Sequence, residues 1–221
     1  MSTDRRRIVL FDLFGVIARH QRPGALEKMA AHCHTSLDAF TTAYWTHRPP
    51  YDAGRHTASA YWTDVLHALS RPADADTVEE LRLTDIDSWS RVDERMVTYV
   101  RNLRDRAKVA LLSNIPADHA DVFLAAQSWL HDLDHVAFSG KIQAAKPDPA
   151  AFQHCVTALH AAPADFLFVD DREENVRAAR AVGMDGHIFS GQEELAGVID
   201  AWLPANGYSP DSTTPPGSSH R

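Results

Sequence analysis

Residues 166–189, FLFVDDREENVRAARAVGMDGHIF, carry the reading that decides the fold. Phe166-Leu-Phe-Val169 is a short run of β-forming apolar residues that ends on the paired carboxylates Asp170-Asp171. Val176, Ala179 and Val182 then recur at three-residue spacing on one helical face, and Gly183 stops that helix. A last strand follows near His187-Ile188-Phe189. Strand, polar turn, helix, strand is the repeating unit of a parallel sheet with helices on its faces, and ligands of such sheets bind beyond the carboxyl ends of the strands.

The same unit recurs upstream. Lys108-Val-Ala-Leu-Leu112 reads as a strand ending in Ser113-Asn114, preceded by a helix with Met96, Val97, Val100 and Leu103 on one face. A helix over about 117–126, a short strand His135-Val-Ala-Phe138, and a helix with Pro147 and Pro149 at its start, running to about His160, follow in order. At the beginning, Arg7-Ile-Val-Leu-Phe11 is a strand that opens at Asp12 onto a loop turned by Gly15. Between Pro23 and about Ser90 no strand is evident, while Leu26, Met29 and Ala30, and then Tyr61, Trp62, Val65, Leu66 and Leu69, keep helical spacing. The expected fold is therefore α/β, a three-layer Rossmann-like parallel sheet interrupted by a helical block. The aromatic residues Tyr44, Trp45, Tyr61 and Trp62 are expected in that block's core. Residues 204–221, rich in Pro, Ser, Gly and Thr, read as a disordered tail.

Composition narrows the function classes. The chain has 221 residues, 44% hydrophobic and 24% charged, with no apolar run near the roughly 20 residues a membrane span needs. The N-terminal segment lacks a signal-peptide pattern, so a cytoplasmic protein is expected. Cys33 and Cys155 are too few and too far apart for a disulfide scaffold and read as buried, reduced thiols. The net charge of -8 argues against nucleic acid or an anionic membrane as a partner.

Four polar clusters fall at strand ends or helix starts of the expected sheet: Asp12, Ser113-Asn114, Lys146 and Asp170-Asp171. Each alone is explained as a turn, a cap or a surface charge. Together they compose a phosphoryl-transfer site. A phosphoryl group repels an anionic nucleophile unless cations neutralise it, which Lys146 and Mg²⁺ would do. Mg²⁺ takes a few oxygen ligands plus water, and Asp12, Asp171 and a backbone carbonyl supply them. Ser113 and its neighbouring amides would hold a phosphate oxygen.

The segments IVLFDLFGVI, VALLSN, AAKPDP and FLFVDDREENVRAARAVGM, in this order, resemble the four motifs of the haloacid dehalogenase-like hydrolases, in particular the phosphatase branch with an inserted helical cap (subfamily IA type). The resemblance implies residues 1–18 and 91–203 as the catalytic core and 19–90 as a cap closing over substrate. It implies Asp12 as the nucleophile that becomes an aspartyl-phosphate, Ser113 and Asn114 as phosphate binders, and Lys146 as the charge linking nucleophile and phosphate. Asp171 and the Phe14 carbonyl would be metal ligands beside Asp12, with Asp170 holding a metal-bound water or the lysine. The implied substrate is a small phosphomonoester, with a sugar phosphate as the natural candidate, and the assembly a monomer or homodimer. In the cap, Arg55 beside Gly54 is the candidate for a substrate contact, although a solvated arginine at a helix start is the plainer reading.

The chain departs from the phosphatase pattern at Phe14, where most members carry a second Asp as general acid and base. Such proton transfer is worth about 100- to 10,000-fold in rate. Three readings follow: a phosphatase that manages without this Asp, with His20 or Asp170 as candidates for the proton role; a 2-haloacid dehalogenase, whose halide needs no proton; or a non-catalytic protein that binds a phospho-ligand or a partner. Adjacent carboxylates without a cation repel one another, which weighs against the metal-free dehalogenase.

Overall fold

The computed structural model describes residues 7–203; the expected tail over 204–221 lies outside them. Strand β1 (Ile8–Phe11) is followed by four helices, α1 (Ala25–His32), α2 (Leu37–Asp52), α3 (Ala58–Ala68) and α4 (Ala75–Ser88). The alternating part then runs α5 (Glu94–Leu103), β2 (Lys108–Ser113), α6 (Ala117–Ala126), β3 (His135–Phe138), α7 (Ser139–Ile142), α8 (Pro149–Ala158), β4 (Phe166–Asp170), α9 (Glu173–Ala181), β5 (Asp185–Ile188) and α10 (Gln192–Trp202).

All strand pairings are parallel, and the sheet order is β3-β2-β1-β4-β5. Side chains of a strand alternate between faces, and both faces here are covered. Val9, Phe11, Val109, Leu111, Leu167 and Val169 pack under α5, α6 and α10. Ile8, Leu10, Ala110, Leu112, Phe166 and Phe168 pack under α8 and α9. The result is three layers. Truncating any of these buried aromatics, Phe11→Ala for example, is worth about 3–5 kcal/mol.

β1 sits between β2 and β4, in register Phe11↔Leu111 and Phe11↔Val169. The chain winds outward through β3 and then returns to β4 on the other side of β1, so the crevice of this doubly wound sheet opens at the carboxyl end of β1. Asp12, Ser113 and Asp170 all sit there, at or one residue past their strand ends.

The helices α1–α4 bury a core of their own around Met29, Phe40, Tyr44, Tyr51, Tyr61 and Trp62. The starts of α2, α3 and α4 are fixed by side-chain caps, Ser36, Thr57 and Asp74 accepting from the amides of Ala39, Ala60 and Thr77. Trp45 departs from the expectation of a buried aromatic set: it is 46% exposed while Tyr44, Tyr61 and Trp62 are fully buried. One residue is about 100° around a helix, so with Tyr44 facing the block's core Trp45 faces outward. The last strand begins at Asp185 rather than near His187, since Leu167↔Asp185 pairing begins directly after the Gly183 turn. The one-turn helix α7 has no counterpart in the sequence reading, being too short to show a period.

Candidate active site

The loop after β1 is shaped by Gly15, which has φ +88°, and a Cβ there would lie 2.2 Å from Asp171 Oδ2. Only glycine takes that backbone and lets the loop pass so close to the carboxylate. Asp12 Oδ1 lies 2.6 Å from Lys146 Nζ, and the same ammonium donates to Asp170 Oδ2 at 2.7 Å. Lys146 is thus a buried cation serving two buried carboxylates. Asp170 is further held by the Arg172 amide N–H and by Asn175 Nδ2, so its oxygens are largely committed within the protein. Asp171 stands opposite, half-buried, 3.1 Å from His20 Nε2.

The charge balance of this cluster is unfavourable as it stands. Asp12, Asp170 and Asp171 each bring an oxygen within 4.8 Å of the others. Burial raises the Asp12 pKa to about 7, with Lys146 opposing and Asp170 adding to the rise. Burial and Asp170 likewise raise Asp171, against His20 and Lys146. For Lys146, burial alone would lower the pKa, but Asp12 and Asp170 outweigh it and the ammonium is held charged. One lysine does not neutralise three carboxylates in low dielectric. A hard divalent cation with oxygen ligands fits both the donor set and the deficit of positive charge.

Ser113 is fully buried, and its Oγ finds no partner among the described residues. Unpartnered buried hydroxyls are costly, and an anion at the strand end would satisfy this one. Asn114 is placed otherwise than the resemblance implied for its side chain. Its Nδ2 donates to the Lys146 carbonyl and its Oδ1 accepts from the Lys146 amide, both at 2.8 Å, so the amide grips the lysine's backbone. Arg55 is not brought to the site. It is exposed and does not line the cavity, because Gly54, at φ +68°, seats its backbone against the Gly140 carbonyl and turns the next residue outward.

A cavity of about 410 Å³ opens above these groups, between the sheet edge and α1–α4. Asp12, Asn114, Lys146 and Asp171 line it, as do the rings of Phe14, Trp45 and Trp89. Three features escaped the sequence reading. Asn175, in the first turn of α9, reaches back to Asp170, and its spacing of five residues from that carboxylate was the available signal. Trp45 and Trp89 line the cavity although nothing in their spacing marks them. Deep in the helical block, Asp85 accepts from Arg48, Tyr44 and Gln21, a fully buried acceptor that periodicity does not reveal.

A parallel α/β sheet with a carboxylate just past the end of the central strand β1 and paired carboxylates at the end of β4 defines a hydrolase class. The chain belongs to the haloacid dehalogenase-like hydrolases, whose family model matches residues 7–183. It is 28% identical over 188 residues to a D-ribitol-5-phosphate phosphatase of Bacteroides thetaiotaomicron, covering 80% of this chain and 88% of that protein. It is 35% identical over 99 residues to the sesquiterpene phosphatase astK of Aspergillus oryzae, a match over 43% of this chain. The chain spans 50% of the length of that fungal protein, and 21% of another curated relative it matches. Among solved structures, a family enzyme of Bacteroides thetaiotaomicron superposes with a TM-score of 0.74 at 17% identity, covering 88% of this chain and 98% of that one. The same enzyme is also known in complex with magnesium and inorganic phosphate. At that identity the likeness speaks for the fold.

Proposed function

We propose that this protein is a Mg²⁺-dependent phosphatase that hydrolyses a small phosphomonoester through an aspartyl-phosphate on Asp12. The observation that carries the reading is the buried Asp12–Lys146–Asp170 arrangement with Asp171 beside it, opening on a cavity. The relatives named above as phosphatases support it. Bound Mg²⁺, held by Asp12, Asp171 and the Phe14 carbonyl, would neutralise phosphate charge and so let a carboxylate attack phosphorus. Lys146 orients Asp12 and adds charge at the phosphoryl oxygens, and the Ser113 hydroxyl donates to one of them. Asp170, already held by three donors, orients Lys146. Asp12 bonds to phosphorus as the bond to the ester oxygen breaks, the departing oxygen leaving as an anion that takes a proton from solvent, and water then attacks the aspartyl-phosphate, its protons staying with the phosphate and solvent as the carboxylate is restored. Helices α1–α4 act as the cap that keeps bulk water out during transfer.

The D-ribitol-5-phosphate phosphatase supports a sugar phosphate as substrate. Two free, buried cysteines accord with a reducing cytoplasm, and no helix among the described residues is long and apolar enough to cross a membrane. A second reading, dehalogenation, is favoured by the aromatic ring of Phe14 beside the nucleophile and opposed by the clustered carboxylates. Phosphate release from sugar and aryl phosphates, with Mg²⁺ or EDTA, in wild type and Asp12→Asn, separates them. Mg²⁺-dependent release abolished by the substitution supports the phosphatase. Metal-independent halide release from a 2-haloacid, with no phosphate release, supports the dehalogenase.

A further inference from the structure

Besides the charged groups around Asp12, the cavity is lined by three aromatic rings, Phe14, Trp45 and Trp89, and by Gln21, Arg48 and Asp52. Phe14 packs edge-on against Trp89, centroids 4.9 Å apart, and Trp45 projects from the cap while braced on the buried Tyr44 at 4.8 Å. A tryptophan left 46% exposed inside a cavity, with a buried ring holding its orientation, is a surface set for a planar partner.

Several of the polar groups beside these rings are paired with one another. Arg48 donates to Asp52 and Asp85, each at 2.7 Å, and the Gln21 amide donates to Asp85, Tyr44 and Ser88. A polyol arriving here meets few free donors. The proton supply is equally short. Phe14 stands where a proton donor to the leaving oxygen would be useful and carries none. Lys146 is locked between Asp12 and Asp170, the Arg48 guanidinium does not give up its proton, and His20 has its Nε2 on Asp171.

We propose that the organic half of the substrate is a planar aryl group, so that the leaving group departs as an aryloxide without taking a proton. This rests on the phosphatase reading and narrows its substrate away from a sugar phosphate. Asp12 forms the bond to phosphorus, the phosphorus–oxygen bond to the aryl group breaks, and the electron pair stays on the aryl oxygen. Phenols ionise near pH 10, as tyrosine does, whereas an alkoxide is far more basic and needs the absent acid. Water then cleaves the aspartyl-phosphate, its proton going to the phosphate released.

The test compares kcat/KM of the Mg²⁺-loaded enzyme for 4-nitrophenyl, phenyl and cyclohexyl phosphate, three esters of similar size. The expected result is a fall of about 100- to 10,000-fold from the nitrophenyl to the cyclohexyl ester, the range that general acid help normally covers. Phe14→Asp should compress that gap to about tenfold by restoring a donor. Trp45→Ala, at a position 46% exposed, should lower kcat/KM for the aryl esters about 3- to 10-fold more than for the cyclohexyl ester. Cyclohexyl or ribitol 5-phosphate turned over by wild type as fast as the aryl esters overturns the proposal, as does alkyl turnover that vanishes in His20→Gln. No release even from 4-nitrophenyl phosphate overturns the phosphatase reading itself.

Discussion

The Asn114 side chain and the Lys146 backbone form a closed two-bond pair, Nδ2 to carbonyl and amide to Oδ1, each at 2.8 Å. It ties the end of β2 to the loop between α7 and α8, and the position of the Lys146 ammonium depends on it. Asn114→Ala leaves a part-buried amide and carbonyl without partners, which costs about 1–3 kcal/mol. The expected outcome is a lower Tm and a fall in kcat with little change in KM, read by thermal denaturation and steady-state kinetics. Asn114→Asp should retain the bond from the Lys146 amide but not the one to its carbonyl, and fall between the two.

Removing the Lys146 charge leaves Asp12 and Asp170 buried together. Lys146→Met should destabilise the Mg²⁺-free protein by about 3–5 kcal/mol, the scale of a broken buried ion pair. Saturating Mg²⁺ should restore part of this, since a ligand bound only to the folded state at 100 times its Kd contributes about 2.7 kcal/mol. Chemical denaturation with Mg²⁺ or EDTA measures both.

Asp12 carries a pKa raised to about 7 by burial, against about 4 in the unfolded chain. The folded state therefore binds more protons than the unfolded state between these values, and stability falls as pH rises through that window. Asp12→Asn should remove the Asp12 share of this slope and leave the share of Asp171, which is also raised, and Mg²⁺ should flatten both. Thermal denaturation in EDTA from pH 4 to 8 is the measurement.

Where α4 meets α6, His119 lies 3.4 Å from Asp85 of α4 without a hydrogen bond at its Nε2. Burial lowers its pKa to about 4. Here the unfolded state, with histidine near 6.5, binds the extra proton, so this contribution to stability is lost as pH falls from about 6.5 toward 4. Wild type minus His119→Gln, both carried in the Asp12→Asn background, should show that slope alone in the same denaturation series.

How much of this was legible in the sequence follows from range. The strands β1, β2, β3 and β4 and the carboxylates at their ends could be read because apolar runs and Gly, Asp and Asn punctuation are local signals. Asp12, Lys146, Asp170 and Asp171 fall together because the strand order brings their ends to one edge. What was not legible depends on side chains meeting across the chain: Asn114 turning to Lys146, Asn175 to Asp170, and Trp45 leaving the cap core while Tyr44 stays in it. Arg55 is exposed, as its plainer reading had it, and its candidacy for the site arose because a glycine turn with a basic neighbour looks the same whether the turn faces a cavity or solvent.

The most direct measurement is rapid acid quench of the Mg²⁺-loaded enzyme during turnover of 4-nitrophenyl phosphate, followed by mass spectrometry of the peptide containing Asp12. The expected result is one phosphoryl group on Asp12 in wild type, absent from Asp12→Asn and from enzyme treated with EDTA. Turnover with no phosphorylated Asp12 at any quench time, or turnover undiminished in Asp12→Asn, would contradict nucleophilic attack by this carboxylate.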